Sequence, residues 1–164
     1  MKNSKKMQKL FAMLLVAVMV FSVLPMGSLS VFATVGEFAG GDGTAENPYL
    51  IATKTQLNNV RNYLDAHFKM IADIEFTDAD FEEDGEFYNN GAGFAPIGTD
   101  DSAPFTGTFD GDGYVIKNLY VNIETDSPVY AGLFGYNKGT IKNLGIVDGS
   151  VSASSSAGGI AGSN

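Results

Sequence analysis

The acidic residues come closest to a spacing that could do chemistry. Asp110-Gly-Asp-Gly113 and Asp100-Asp101 each set two carboxylates side by side, and carboxylates held roughly 5 to 9.5 Å apart hydrolyse glycosides. A tight turn uses the same residues as Asp110-Gly-Asp-Gly113, because Asp bonds its own backbone and Gly accepts a positive φ. Asp100 and Asp101 fall in a polar loop, so the turn reading is the stronger one for both pairs. Asp78, Asp80, Glu82 and Asp84 alternate as oxygen ligands for calcium would. Gly85 comes too late for an EF-hand loop, however, and no bidentate Glu follows at the right distance, so a solvated acidic loop is expected. His67 is the single histidine and the chain has no cysteine, so neither a zinc site nor a nucleophile–base pair can be assembled. His67 is read as a helix-end residue, favoured there when protonated by the helix dipole. The sequence therefore assigns no catalytic residue, no metal ligand and no cofactor. Tyr114, Tyr120, Tyr130 and Tyr136 are candidates for contact with sugar or protein. Tyr120 leads them, because it alternates against the inward set, while the binding residues as a group stay unknown.

The elements that would position these groups follow from two periodicities. Leu57, Val60 and Leu64 fall at helical spacing opposite polar Asn58, Asn59, Arg61 and Asp65, which predicts one amphipathic helix over 54–65. Thr53 and Gln56 match a capping box at its start. Tyr49-Leu-Ile-Ala52 before it reads as a short strand. From Phe68 the pattern alternates with period two, as in half-buried strands. Thr77 to Gly93 reads as the acidic loop and Phe94-Ala-Pro-Ile97 as a further strand.

The chain also repeats itself. Gly107-Thr-Phe109 returns as Gly132-Leu-Phe134, and Ile116-Lys-Asn-Leu119 as Ile141-Lys-Asn-Leu144, both 25 residues on. Gly132-Leu-Phe-Gly-Tyr-Asn137 returns as Gly159-Ile-Ala-Gly-Ser-Asn164, 27 residues on. Short apolar runs and glycines at such a period are the mark of stacked repeats. The expected fold is all-β. Right-handed parallel β-helix (solenoid) coils carry an N-terminal capping strand and one amphipathic α-helix, and the C-terminal side is incomplete. A constant 25-residue coil stacks Phe109 on Phe134, Ile116 on Ile141, Leu119 on Leu144 and Val121 on Ile146, with Asn118 over Asn143 as an amide ladder.

Composition supplies the address. Lys2, Lys5, Lys6 and Lys9 precede an apolar run from Leu10 to Leu24, and Val31-Phe-Ala33 suits a signal peptidase, so residues 1–33 read as a secretory signal peptide. The apolar run is shorter than the roughly 20 residues that cross a bilayer. The remaining chain divides into an N-terminal cap, 34–98, and repeats, 99–164, that stop inside a third copy. The whole chain carries 10 basic and 19 acidic residues, a net charge of −9. Loss of the four leader lysines leaves −13, which argues against nucleic acid and anionic membranes as partners. With no cysteine, an exported chain relies on packing and not on disulfides.

Ala131-Gly-Leu-Phe-Gly135 and its degenerate copy Gly158-Gly-Ile-Ala-Gly162 resemble the GLUG repeat. Pro104 to Tyr120 is similar to the unit that commonly precedes that repeat. Gly43 to Ile51, the following Gln56-Leu57 helix and Ala95-Pro-Ile-Gly98 are similar to its usual entry. The resemblance implies a right-handed parallel β-helix in exported or cell-surface bacterial proteins, among them adhesin-like proteins and some immunoglobulin A-specific zinc peptidases. The His-Glu-any-any-His site of those peptidases is absent from this sequence. The expected function is that of an exported, non-enzymatic module of a cell-surface or adhesin-like protein, which binds extracellular carbohydrate or protein. The alternatives are a polysaccharide-active enzyme using paired carboxylates, or an N-terminal piece of a longer surface protein whose activity lies downstream. Without membrane insertion after cleavage, self-association through the open C-terminal edge is expected. The intact mass of the exported protein tests the leader: it should start at Thr34, and a mass that includes residues 1–33 would refute cleavage.

Overall fold

The computed structural model describes residues 36–125, 127 and 129–164. The expected signal peptide, residues 1–33, lies outside the described residues, as do residues 34 and 35 of the expected cap. Strand β1 (Tyr49–Ile51) leads into helix α1 (Lys54–Asn59), then β2 (His67–Met70) and β3 (Ile74–Glu75). After a long excursion come β4 (Thr108–Asp110), β5 (Val115–Lys117), β6 (Tyr120–Ile123), β7 (Tyr130–Ala131) and β8 (Phe134–Tyr136). The described chain continues through β9 (Thr140–Lys142), β10 (Gly145–Val147), β11 (Ser150–Ala153), β12 (Ser156–Ala157) and β13 (Ala161–Ser163).

These strands make one four-stranded sheet, β1-β2-β4-β9, one three-stranded sheet, β3-β5-β10, and the pairs β6-β11, β7-β12 and β8-β13. Among the described residues every pairing between these strands is parallel. Each strand is too short to persist alone, and the side chains that alternate inward hold it in place. Phe68, Phe76, Phe94, Phe105, Phe109 and Phe134 are all fully buried, together with Ile51, Met70, Ile97 and Ile116. Phe109 lies 6.3 Å from Phe68 and 5.4 Å from Phe134, ring centre to ring centre. Burying one such ring stabilises the fold by roughly 1.5–3 kcal/mol.

This arrangement corrects the right-handed parallel β-helix read from the 25-residue repeat. Several small parallel sheets and a helix stand in place of a uniform solenoid. Paired residues are 19 positions apart from Tyr49 to Phe68, 41 from Phe68 to Phe109, 32 from Phe109 to Ile141 and 30 from Ile116 to Ile146. No constant coil length exists. Phe109 pairs with Ile141 and not Phe134, Ile116 with Ile146 and not Ile141, and Val121 with Val151 and not Ile146. The Leu119 carbonyl accepts from Ser150, which places Leu119 over that step and not over Leu144. The reason lies in the corners. Asn118 follows β5 and Asn143 follows β9, and both hold a left-handed backbone, φ 56° and 52°, which Asn adopts at modest cost. The 25-residue repeat thus marks one corner chemistry used in two different sheets. The 27-residue offset does follow the register, pairing Phe134 with Ala161 and Tyr136 with Ser163. The amide contact falls there too, with the buried Asn137 donating from Nδ2 to Asn164 Oδ1. Asn118 instead donates to the Phe76 carbonyl at 3.0 Å.

The helix is shorter than 54–65. α1 ends at Asn59, a single 3-10 turn covers Val60–Asn62, and Tyr63 leaves helical space with φ −141°. The Leu64 carbonyl is taken by the Thr106 and Gly107 N–H groups at 2.8 and 2.9 Å, which ties the chain after Tyr63 to the segment that leads into β4. At the helix start the Thr53 hydroxyl accepts from Gln56 N–H at 3.2 Å, and Gln56 Oε1 accepts from Ala52 N–H at 2.8 Å. Leu57 and Val60 are fully buried. Gly107 lies so close to the Ala66 carbonyl that a Cβ would overlap it, so this crossing needs glycine.

The excursion between β3 and β4 is more than a solvated loop. Thr77 caps a 3-10 turn over Asp78–Asp80, and Phe81 and Phe87 pack 5.3 and 5.2 Å from Phe76. The segment 94–97 is not a regular strand. Phe94 N–H bonds the Tyr120 carbonyl at 2.8 Å, and Ile97 and Phe105 form single bridges to Phe134 and Asn137. This segment covers the free sides of β6 and β8.

Phe109→Ala should cost about 3–5 kcal/mol in urea unfolding. Ile141→Ala, in the half-covered last layer, should cost less. Equal losses would contradict the packing order described.

Candidate functional site

The paired carboxylates are committed to structure. Asp110 lies in register between Lys69 and Lys142 on the outward face of β2-β4-β9. Its Oδ2 is 3.1 Å from Lys142 Nζ, and its Oδ1 accepts from Asn143 Nδ2 and the Asp112 N–H at 3.0 and 2.9 Å. Asp112 faces Lys69 at 3.0 Å. Burial alone would raise the Asp110 carboxyl, but the bonds from Asn143, Asp112 and Lys142 outweigh it and hold it below its ordinary value. Asp100 closes its own turn on Ser102 and Thr99, and Asp101 pairs with Lys138. The Ser102 side chain and backbone hold the Asp100 carboxyl below its usual range.

The acidic loop is divided. Asp80 turns inward, taking Lys54 Nζ at 2.7 Å and the Thr77 N–H at 2.7 Å. Burial pushes its carboxyl up, and the Lys54 and Thr77 bonds bring it below the ordinary value. Asp78, Glu82 and Asp84 stay exposed. Among the described residues no group of three or more His, Asp or Glu side chains is placed to hold a metal ion. His67 is not at a helix end. It opens β2, where its backbone N–H donates to the Gly43 carbonyl at 2.9 Å.

The tyrosines part company. Tyr114 packs half-buried on the core. Tyr130 and Tyr136 meet edge-on at 5.0 Å, with Lys138 Nζ 5.5 Å over the Tyr136 ring. Tyr120 is half-buried and meets Phe81 edge-on at 5.6 Å.

Tyr120 and Phe81 line a groove of about 430 Å³ together with Thr77, Asp78, Asn118, Leu119, Asp148 and Ser150. Its back wall is the corner after β5 and β10. There Asn118 N–H donates to the Val147 carbonyl at 2.9 Å, and Asp148 holds φ 53° beneath Asn118. Its side wall is the 3-10 turn at Asp78. The groove gathers an aromatic edge, hydroxyls, an amide and two carboxylates, which is hydrogen-bonding and stacking chemistry. A second recess, about 480 Å³, lies under β9 and β13 and is lined by Ile141, Leu144 and Ile160 with Asn137 and Asn164. The sequence reading singled out Asp78, Asn118 and Tyr120 but missed Phe81, Asp148 and Ser150. Asp148 stands 30 residues after Asn118, a distance that becomes meaningful only once the β5–β10 register is known.

Because the Asp80 and Asp110 carboxyls are depressed in the folded chain, the stability they contribute is present above their ordinary value near 4 and is lost as pH falls through the folded values. Urea stability should drop below about pH 4, and the Asp80→Asn/Asp110→Asn double variant should show a shallower drop. Identical acid profiles would remove these two groups as the cause.

No protein-family profile matches the chain. Over 126 residues the chain is 40% identical to a protein of Evansella cellulosilytica provisionally named a Gly-rich membrane protein, which covers 71% of this chain and 13% of that one. Over 123 residues it is 32% identical to Halomucin of Haloquadratum walsbyi, covering 72% of this chain and 1% of that protein. A crystal structure from Bacteroides ovatus, provisionally named an immunoglobulin A1 protease, superposes with a TM-score of 0.53 at 29% identity, covering 73% of this chain and 32% of that one. The chain thus spans a small part of the curated relatives it matches. Among the described residues no helix is long and apolar enough to cross a membrane. What these comparisons share is similarity to a limited stretch of much longer proteins.

Proposed function

We propose that this chain is an exported module of a cell-surface protein that presents side chains to an extracellular carbohydrate or protein and catalyses no reaction. The observation that carries this reading is the fixed parallel register. It sets outward residues in rows across strands, Lys69–Asp110–Lys142 on one face and Tyr120 over Ser150 and Asn122 over Ser152 on another. The paired carboxylates Asp110 with Asp112 and Asp100 with Asp101 are held by lysines and turn N–H groups, which supports presentation over hydrolysis. The resemblance of Ala131–Gly135 and Gly158–Gly162 to GLUG repeats supports the same reading, as do the names carried by the Evansella and Haloquadratum relatives. Strands β9 to β13 each stand at a sheet edge, and self-association through that edge belongs to the proposal.

Antibody raised to the full chain should label intact cells, and protease applied from outside should remove the label. Labelling that needs lysis of the cells would overturn surface display. Light scattering of the full chain at tens of micromolar should report assemblies, and a monodisperse monomer would end the self-association part.

A further inference from the structure

The groove at the Asn118–Asp148 corner has a composition that selects among ligands. Its aromatic wall is the Tyr120 ring, steadied edge-on by Phe81 at 5.6 Å. An aromatic side chain with one apolar face and a hydroxyl at its tip suits a ligand with C–H faces and polar edges. Around that wall stand planar polar groups on three elements. The Asp78 carboxylate comes from the 3-10 turn, and the Asn118 amide and the Asp148 carboxylate come from the two stacked corners. The Thr77 and Ser150 hydroxyls complete the lining. No lysine or arginine lines the groove, and neither Asp78 nor Asp148 is in an ion pair among the described residues. The groove differs in this from the outward face of β2-β4-β9, where each Asp is matched by a lysine.

Carboxylates without a cationic partner accept from hydroxyl donors and repel anions. A carboxylate takes adjacent hydroxyls through its two oxygens, and such charge-assisted bonds are the stronger kind. The chain's net charge of −9 adds to the repulsion of acidic ligands. Register fixes the back wall of the groove. Asn118 is tied to the Phe76 and Val147 carbonyls, and Ser150 N–H to the Leu119 carbonyl at 2.7 Å, so little ordering is needed when a ligand enters.

We propose that this groove is a binding subsite for neutral carbohydrate, with a sugar ring on Tyr120 and its hydroxyls bonded by Asp78 and Asp148. The assignment rests on the reading of the chain as a binding module and specifies where and what it binds. The test is affinity electrophoresis of the full chain through gels containing neutral polysaccharides (mannan, soluble starch, a β-glucan) or anionic polygalacturonate. At least one neutral gel should retard the chain, and polygalacturonate should not. Asp148→Asn is the first variant, since Asn also adopts a left-handed backbone and keeps the corner. Asp78→Asn is the second, on an exposed turn. Each should weaken retardation about tenfold, as expected for loss of a charge-assisted bond. Retardation unchanged in both variants would overturn the groove while leaving a binding module intact. Retardation in polygalacturonate alone, or in no gel, would overturn the carbohydrate assignment. Surface labelling of cells then separates that failure from failure of the module reading.

Discussion

Backbone pairing between strands of two to four residues is the constraint on which everything else depends. A strand this short buries one or two side chains, too few to hold its own backbone in place. It persists because a parallel neighbour takes its N–H and carbonyl groups and because its inward residue meets others, as Phe109 meets Phe68 and Phe134. Parallel pairing requires the chain to come round to the same place travelling in the same direction. Sharp corners make this feasible, and Asp112, Asn118, Asn143 and Asp148 supply them with left-handed backbones. The grooves and rows on the surface are by-products of where those corners fall.

The two ends of the core are finished differently. Near β1 the core is closed by side chains from outside the sheets. Leu57 and Val60 come from the helix segment, Phe38 stacks on Tyr49 at 4.3 Å, and Phe81 and Phe87 come from the excursion. Arg61 extends this closure. Its guanidinium donates to the Ala95 carbonyl at 2.7 Å and lies 5.3 Å over the Phe94 ring. Near β9 to β13 the apolar residues Ile141, Leu144 and Ile146 are only partly covered.

Sequence pattern and structure agree where the signal is local. Of the residues expected to point inward, Phe109, Ile116, Leu119, Val121 and Phe134 are fully buried, while Ile141, Leu144 and Ile146 are only partly covered. The Thr53 cap and the Leu57–Val60 stripe follow from side-chain spacing alone. The partner of each strand was not legible, because alternation says which way a residue points and nothing about what lies beside it. The Ile-Lys-Asn-Leu repeat misled for that reason, as it records a corner and not a layer. Leu64 falls outside the helix because the chain leaves helical space at Tyr63, and the N–H groups that take the Leu64 carbonyl lie more than 40 positions away. The groove suffered similarly. Tyr120, Asn118 and Asp78 could be flagged one by one, but only the fold brings Asp148 beneath Asn118.

The excursion between β3 and β4 leaves the regular strands after Glu75, touches β6 and β8 through single bridges, and returns to a regular strand at Thr108, yet Ile74 still pairs with Ile116 and Phe68 with Phe109. The framework therefore keeps separate accounts of connectivity and of shape: chain added at a corner need not disturb the rungs above and below it. Such a framework can diversify by lengthening one corner while its flat faces stay as they are, and a foreign peptide spliced into the exposed stretch around Glu82 to Asp84 would be displayed without re-engineering the rest.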